Sequence, residues 1–555
     1  MRVKDAIKKL KSYQKLMELH NENEFKIKQF TSFIIEIENS KYGLKELLSL
    51  CQQGKYKLSE AKQTLIFDLL ETGSFPDFDV LMQKTPKGVW EMTKISGLGP
   101  KKVRILWQEL ALLDLKSLQE KCLAGEVAKI KGFGLKTEQN ILISIAYLLE
   151  NESKLLLSQA EILAESVLKE ILDFLPDLDI VLVGDVTRYL SVVSKIHFVI
   201  DAKDKSLVFG MMNTHDLFEK DTKNSSMFCW RGYLIDVKCP IEITAVSNNK
   251  GLALLKLNSS EEYISHFLDK FQGTANSEQE VYAKLNKPFT PAPMREIQNM
   301  PILSSPDFDV DKIVKDSDIK GCLHNHSVYS DGQNTISEMV SACKTMGLTY
   351  FGISDHSKTA SYAGGIREEE IIKQHNEIDD WNARSSNFKI FKGIESDILN
   401  DGSLDYSNEV LASFDFIVAS VHSNLTMNKE EATQRLIKAI ENPYTTILGH
   451  PTGRLLLKRK GYELDMYKII DACAANRVCI EINSNPWRLD LDWTYVRYAA
   501  DKEVMLALNP DAHEIDGLHD MQYGVKSAQK AGLYPEQILN CLERDLVSGF
   551  FNLKK

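Results

Sequence analysis

Long apolar runs are missing from this 555-residue chain. The most apolar stretch, ILISIAYLL at 141–149, is far short of the roughly 20 residues that span a bilayer, so no membrane partner is expected. Signal-peptide character is lacking too, because MRVKDAIKKLKSYQKLMELH carries charge where an apolar core would stand. Cysteine is scarce: nine residues without a Cys-x-x-Cys pair. That pattern excludes zinc ribbons and a disulfide framework, and fits reduced thiols in a cytoplasm. Proline is sparse, yet five of the 15 fall in PFTPAPMREIQNMPILSSP at 288–306. Such density opposes helix and central strand, so an extended linker and a domain boundary are expected there. Excess positive charge is absent, with 67 Lys and Arg against 78 Asp and Glu for a net of −11.

The charge is unevenly spread. Residues 1–150 hold 24 basic and 19 acidic groups, a net of +5, which leaves 43 against 59, or −16, for the remainder. A slightly basic head on an acidic body permits nucleic-acid contact at the head. An apolar content of 43% and a charged content of 26% are ordinary for a globular protein, and the length calls for roughly three or four folding units. To about residue 172 apolar residues recur at helical spacing. From 178 to 260, DIVLVGD, KIHFVID, GYLIDVKC and IEITAV read as strands of an α+β unit. Beyond the linker, IKGCLHNH, LTYFGISDH, FKIFKGIES, FDFIVASVHS, TTILGHP, VCIEINSNP and VMLALNPDAH alternate with helical segments, and each ends in polar residues. A parallel β/α barrel with its site at the strand C-termini fits this design. A doubly wound open sheet is the alternative.

The strand ends carry the chemistry. They supply His324, His326, Asp331, His356, Glu395, His422, His450, Asp511 and His513. Eight of the twelve histidines follow residue 319, and six of those eight occupy strand ends. Nine ligands are too many for one tetrahedral ion and suit two or three ions with bridging carboxylates. Imidazole and carboxylate without thiolate favour manganese, zinc or iron. Clustered divalent ions acidify a bound water and clamp phosphate oxygens, the arrangement for phosphoester hydrolysis. Glu395 and Asp511 are therefore candidate catalytic groups, and Arg454 in GHPTGR is a candidate bidentate phosphate partner.

In the head, ISGLGPKKVRILW at 95–107 and IKGFGLKTEQNIL at 130–142 repeat at a spacing of 35 residues. Gly97, Gly99, Gly132 and Gly134 allow tight turns that aim amide N–H groups at phosphate, and Lys101, Lys102 and Lys136 add charge. The pair reads as two DNA-binding helix-hairpin-helix motifs.

With LHNHSVYSDG, GISDHS, GIESDILNDGSLDY, ASVHS, GHPTGRLL, EINSNPWRLDLDW and NPDAH in order across 319–555, the chain closely resembles the polymerase and histidinol phosphatase (PHP) domain. The version it resembles stands at the C-terminus of bacterial family X DNA polymerases. All nine ligand positions of that pattern are intact. The resemblance implies a distorted seven-stranded barrel, a trinuclear metal centre, and a manganese-dependent (or zinc-dependent) 3′→5′ exonuclease or 3′-end-processing phosphoesterase of DNA repair. It also implies DNA partners such as gapped or 3′-recessed duplex. The two hairpins match the family's fingers, and LLETGSFPDFDVL resembles the end of its N-terminal domain. A further hairpin there has lost its glycines, with YKLSEAKQ in place of a Gly-x-Gly.

The same resemblance places a polymerase palm at VLVGDVTRYLSVVSKIHFVID, where the family carries Gly-Ser, two arginines and an Asp-x-Asp that binds magnesium. Here Gly184 precedes Asp185, Arg188 alone remains of the arginines, and Lys195 and His197 stand where the aspartates belong. Asp201 and Asp204 are the alternative acids if the strand is aligned otherwise, and Asp236 in GYLIDVK is the candidate third aspartate. The thumb's Thr-Gly-Ser is replaced by NSS at 258–260. A lysine at about 4 Å and an effective dielectric near 20 contributes on the order of 4 kcal/mol per unit charge against a cation, so Mg²⁺ in the palm is not expected. The domain reading is a helical N-terminal domain at 1–85, fingers at 86–150, a degenerate palm at 151–240, a thumb at 241–295, the linker at 296–318 and the barrel at 319–555. A cytoplasmic monomer with phosphoesterase activity on DNA is the leading expectation. The alternatives are a gap-filling polymerase, a non-catalytic DNA-binding scaffold, and a small-molecule phosphatase of the histidinol-phosphate type.

Overall fold

The computed structural model describes residues 3–38, 40, 42–95, 97–235, 237–268 and 271–553. It divides into two compact units, Met1–Asn151 and Glu152–Lys555. The first is all helix. Its opening helix, Val3–Leu19, buries Ala6, Leu10, Tyr13 and Met17, the i, i+4, i+7, i+11 stripe of an amphipathic helix. The Tyr13 ring meets Phe30 and Phe75 edge-on at 4.9 and 5.0 Å.

The second unit opens with a two-residue ladder, β1 (Leu155–Leu156) against β3 (Val192–Val193). A five-stranded sheet follows, built from β2 (Ile180–Val183), β4 (Ile196–Asp201), β5 (Phe218–Lys220), β6 (Cys229–Leu234) and β7 (Cys239–Val246) in the order β2-β4-β7-β6-β5. Helix Leu157–Phe174 lays Ala164, Val167 and Ile171 against Phe198, Ile200, Ile241 and Ile243 of this sheet. Three short helices form a separate small core around Tyr263, Phe267 and Tyr282.

The proline-rich segment is not extended. It forms 3₁₀ turns at Ala292–Met294 and Ile297–Asn299 and a short helix at Met300–Leu303. Pro293 and Pro301 sit in the first turns of their elements, where a missing N–H costs nothing. Met294, Arg295 and Asn299 are fully buried, so the segment is a packed strut.

Seven parallel strands then follow in chain order: β8 (Gly321–Cys322), β9 (Tyr350–Ile353), β10 (Lys389–Asp397), β11 (Phe416–Ser420), β12 (Ile447–Leu448), β13 (Cys479–Asn483) and β14 (Leu506–Asn509). All seven expected strands form, and they build the expected barrel and not the open-sheet alternative. A parallel bridge between Asn325 and Ala512, with His326 N–H donating to Ala512 O at 2.8 Å, joins the two edges beyond β8 and β14. Among the described residues no helix is long and apolar enough to cross a membrane, and all nine cysteines are free thiols.

The sheet and the barrel pack together within this unit. Leu156, Leu157, Ala160, Val186 and Val193 meet Leu456, Leu489 and Tyr523. Beside them, Glu296 of the strut takes Arg188 at 2.7 Å and Lys530 at 2.6 Å.

Candidate metal centre

Strand side chains alternate between faces, and this period aims the donors. Phe391, Phe416, Val418, Cys479 and Ala507 form one inner cluster with Phe551 of the last helix, Arg544–Asn552. The Phe551 ring stacks on Phe416 at 5.1 Å and meets Phe391 edge-on at 5.2 Å, plugging one end of the barrel. Two-residue steps from Phe391, Cys479 and Ala507 lead to Glu395, Glu481 and Asn509 at the other end. Gly393 is required on the way, since a Cβ there would lie 2.2 Å from the Phe416 ring.

The nine expected ligands converge. They fall into four overlapping groups: His326, Asp331, His356 and His513; His324, His326 and Asp511; His324, Glu395 and His450; and His356, Glu395 and His422. Within each group the donor atoms lie within 4.8 Å of one another. Glu395 is central, with Oε1 at 3.3 Å from His324, 3.2 Å from His422 and 3.0 Å from His450, and Oε2 at 2.8 Å from His356. On the other flank His326 lies 3.0 Å from Asp511, and His513 lies 3.3 Å from Asp331. His324 and His326 are fully buried.

Burial opposes charge on Glu395, yet the imidazoles of His422, His324 and His356 outweigh it and hold its carboxyl well below the usual range. Asp511 is held down against burial in the same way, first by His324 and then by His326. Burial also acts against His422, but Glu395 and Asp397 raise it to about 10. Burial, with His513 and His356 adding, pushes His326 down to about 3. Despite these short distances, His324 Nε2 and Glu395 Oε2 are buried without a contact of hydrogen-bond geometry among the described residues. Orphaned nitrogen and oxygen donors in overlapping sets fit hard or borderline divalent ions.

Three residues around this cluster were missed from sequence. Glu481 accepts from His324 Nδ1 at 2.7 Å and from the His450 N–H at 2.9 Å, and takes Asn483 and Asn509 amides as well. Asp397 accepts from His422 Nδ1 at 2.6 Å. Each fixes the tautomer that turns Nε2 toward Glu395. Arg488 brings Nε to 3.4 Å from Asp511 Oδ2, and its buried Nη1 has no hydrogen-bond partner among the described residues. Strand alternation was the available signal for Glu481 in CIEIN and Asp397 in GIESD; Arg488 left none.

Arg454 is placed differently from the expectation. Its guanidinium pairs with Asp492 at 2.6 Å and donates to the carbonyls of Arg488 and Leu489. It braces the loop that carries Arg488 and is already engaged there.

In the head, Gly97 and Gly132 adopt φ of +82° and +93°, the left-handed turn that favours glycine. Gly99 and Gly134 cap helices Pro100–Leu110 and Leu135–Glu150 with no side-chain cap bond. In the first, Pro100 has no N–H and the Lys102 N–H donates to Gly99 O at 2.9 Å, so the Lys101 N–H is its first-turn group for an anion. Lys101 and Lys136 are exposed, while Lys102 donates to Gly97 O at 3.2 Å. The YKLSEAKQ segment differs: Ser59 caps helix Glu60–Thr72 by accepting from the Lys62 N–H.

In the palm, Lys195 and Arg231 both pair with Glu242, the latter at 2.7 Å. Glu242 lies beside His197 in the β4–β7 register. Burial opposes its charge, yet the hydrogen bond from Lys195 and the charge of His197 hold it at about 2. Burial lowers His197 to about 4. Asp236 lies outside the described residues; among them Glu242 faces the Lys195–His197 pair, and Asp185 also acts on His197. Gly184 donates its N–H to Asn258 at 2.9 Å, so the NSS segment ties thumb to palm.

Residues 323–485 match the family described as the PHP domain. The fold and donor set together define a PHP-type barrel joined to an α+β hand. The DNA polymerase/3′-5′ exonuclease PolX of Bacillus subtilis (strain 168) is 30% identical over 574 aligned residues, 99% of this chain and 99% of that protein. This chain belongs to the PolX family, the bacterial family X DNA polymerases that carry a PHP domain. Probable phosphatase YcdX of Escherichia coli (strain K12) is 27% identical over 237 residues, 41% of this chain and 91% of that protein. Leishmania infantum polymerase beta in a ternary P/T complex aligns at a TM-score of 0.24 and 13% identity, over 38% of this chain and 98% of that one.

Proposed function

We propose that the barrel is a divalent-metal phosphoesterase that shortens DNA from its 3′ end, and that the helical head, palm and thumb hold the DNA. The observation that carries this reading is the convergence of all nine donors in four groups that share His324, His326, His356 and Glu395. Two or three manganese or zinc ions held by these residues would supply an acidified water and neutralise phosphate charge. Glu395 is common to two of the four groups and holds four imidazoles in fixed relation. Glu481 and Asp397 keep His324 and His422 in the tautomers that donate lone pairs inward. Arg488 offers its unpartnered Nη1 to a phosphate oxygen, and Arg454 holds the Arg488 backbone in place. The nine free thiols support a reducing cytoplasm as the setting.

Nucleotidyl transfer in the palm is lost on this reading. Magnesium needs carboxylate oxygens, and among the described residues Glu242, which faces Lys195 and His197, is already neutralised by Lys195 and Arg231. Arg188 is likewise held by Glu296.

With manganese, the purified protein shortens a 3′-recessed or gapped strand and adds no nucleotide to a one-base gap. The His324→Ala/His326→Ala variant loses the shortening. Activity that survives in that variant refutes the site, and incorporation into the gap refutes palm loss.

A further inference from the structure

The loop between β9 and β10 holds a side chain that the metal donors do not use. Ala360, Ala363 and Ile366 are buried. Gly365 N–H donates to Ala360 O at 3.1 Å and Ile366 N–H to His356 O at 2.9 Å. Thr359 Oγ1 reaches Asp397 and Asp405 at 2.9 Å each. A Cβ on Gly365 would lie 1.9 Å from Ser357 O, so the loop closes on itself with no slack. From this pinned loop one large ring projects. Tyr362 is 70% exposed, although an aromatic of its size ordinarily gains from burial.

Its position is specific. The Tyr362 ring centroid is 6.1 Å from the His356 ring and 6.4 Å from the His422 ring, the two imidazoles that share one donor group with Glu395. Its hydroxyl lies within electrostatic reach of Glu395, Asp397, Asp331 and Arg488. Desolvation against the site, then the charges of Glu395, Asp397 and Asp331, raises its pKa, so the ring remains a neutral phenol. An exposed π-face beside a phosphoester site suits a flat group attached to the phosphate that the site engages. In a DNA strand that group is a base, and base–aromatic stacking contributes regardless of sequence because every base has a π-face.

We propose that Tyr362 is the platform on which the base of the strand's 3′-terminal nucleotide stacks, unpaired, while its phosphodiester lies at the donors. The inference rests on the phosphodiesterase reading above. It gives the site a subsite for the base of a terminal nucleotide.

The test separates the base from the phosphate. Manganese-loaded full-length protein is compared with Tyr362→Ala and Tyr362→Phe on two single-stranded oligonucleotides, one with an intact 3′ terminus and one whose terminal nucleotide lacks its base. For wild type and Tyr362→Phe, removing the base lowers kcat/KM about tenfold, mostly through KM. For Tyr362→Ala, kcat/KM on the intact terminus is already about tenfold lower, and base removal adds little. Binding is read independently in metal-free protein by quenching of a 3′-terminal 2-aminopurine, which the alanine variant loses and the phenylalanine variant keeps. The exposure of Tyr362 leaves the packing of the loop intact in all variants. Base and tyrosine effects that multiply independently, or unchanged quenching in Tyr362→Ala, overturn the inference while leaving the phosphodiesterase reading standing. A wild-type protein that cleaves neither oligonucleotide overturns both.

Discussion

Glu296→Gln puts the junction between palm and barrel under direct test. Glu296 sits between two cations, with Lys530 Nζ at 2.6 Å and Arg188 Nη2 at 2.7 Å. Side-chain exposures of 1% for Lys530, 6% for Glu296 and 15% for Arg188 place the triad out of water. Removing one partner from such a pair costs about 3–5 kcal/mol, chiefly from the charge left behind. Here two like charges are left, so a loss of about 3 kcal/mol at neutral pH is a lower figure. Burial lowers the Lys530 pKa to about 8 even with Glu296 opposing the shift. A lysine depressed in the folded state destabilises while charged, and stability rises with pH once the folded protein sheds a proton that the unfolded chain keeps. In wild type that rise begins near pH 8. In Glu296→Gln the lysine is depressed further, so the rise begins lower, and the deficit against wild type shrinks toward pH 8 and is level above it. Urea unfolding of the full chain, followed by tryptophan fluorescence with Trp493 only 4.5 Å from Lys530 Nζ, reads both. Lys530→Met in the Glu296→Gln background restores part of the loss. An unchanged urea midpoint, or a deficit that is flat between pH 6 and 8, refutes the reasoning.

Glu481→Gln keeps the side-chain shape but removes the charge that fixes His324; manganese affinity falls about 10- to 100-fold in calorimetric titration, and wild-type affinity in the variant counts against its positioning role. Replacing Lys101, Lys102 and Lys136 with alanine weakens binding to long DNA and reduces the slope of log K against log salt by roughly two to three, measured by fluorescence anisotropy. An unaltered slope removes the head from the DNA path.

Much of the barrel was legible because its signals are local. A two-residue period, a polar strand end and histidines such as His324 and His326 in LHNH can be read from a few residues. The packed strut was not legible, because proline density reports what a segment cannot do and says nothing about what covers it. Met294 and Asn299 are buried by contacts with distant parts of the chain, Asn299 donating to Lys530 O at 2.8 Å. Arg454 and Arg488 show the same limit. Both are arginines in polar loops, and only three-dimensional placement gives one of them to Asp492 and the other to Asp511. Glu242 is set beside His197 by the register of β4 on β7, which sequence spacing alone does not fix.

The palm and the barrel bear on each other through these reassignments. Arg188, which the family resemblance casts as a nucleotide-site arginine, is committed to Glu296 and through it to Lys530 of barrel helix Met521–Lys530. Lys195 is committed to Glu242. Lys195 thus stands in an ion pair inside the fold, whereas His197 meets the Thr244 hydroxyl at 2.9 Å. A buried cation with a bidentate carboxylate partner is costly to free, and restoring aspartates at 195 and 197 alone leaves Arg188 still captured. On the reading that nucleotidyl transfer is lost, its return requires the strut to release Arg188 as well as acids at 195 and 197. Val186 and Val193 of the same region pack with Tyr523 and Leu489 of the barrel, so the palm is part of what holds that barrel face in place.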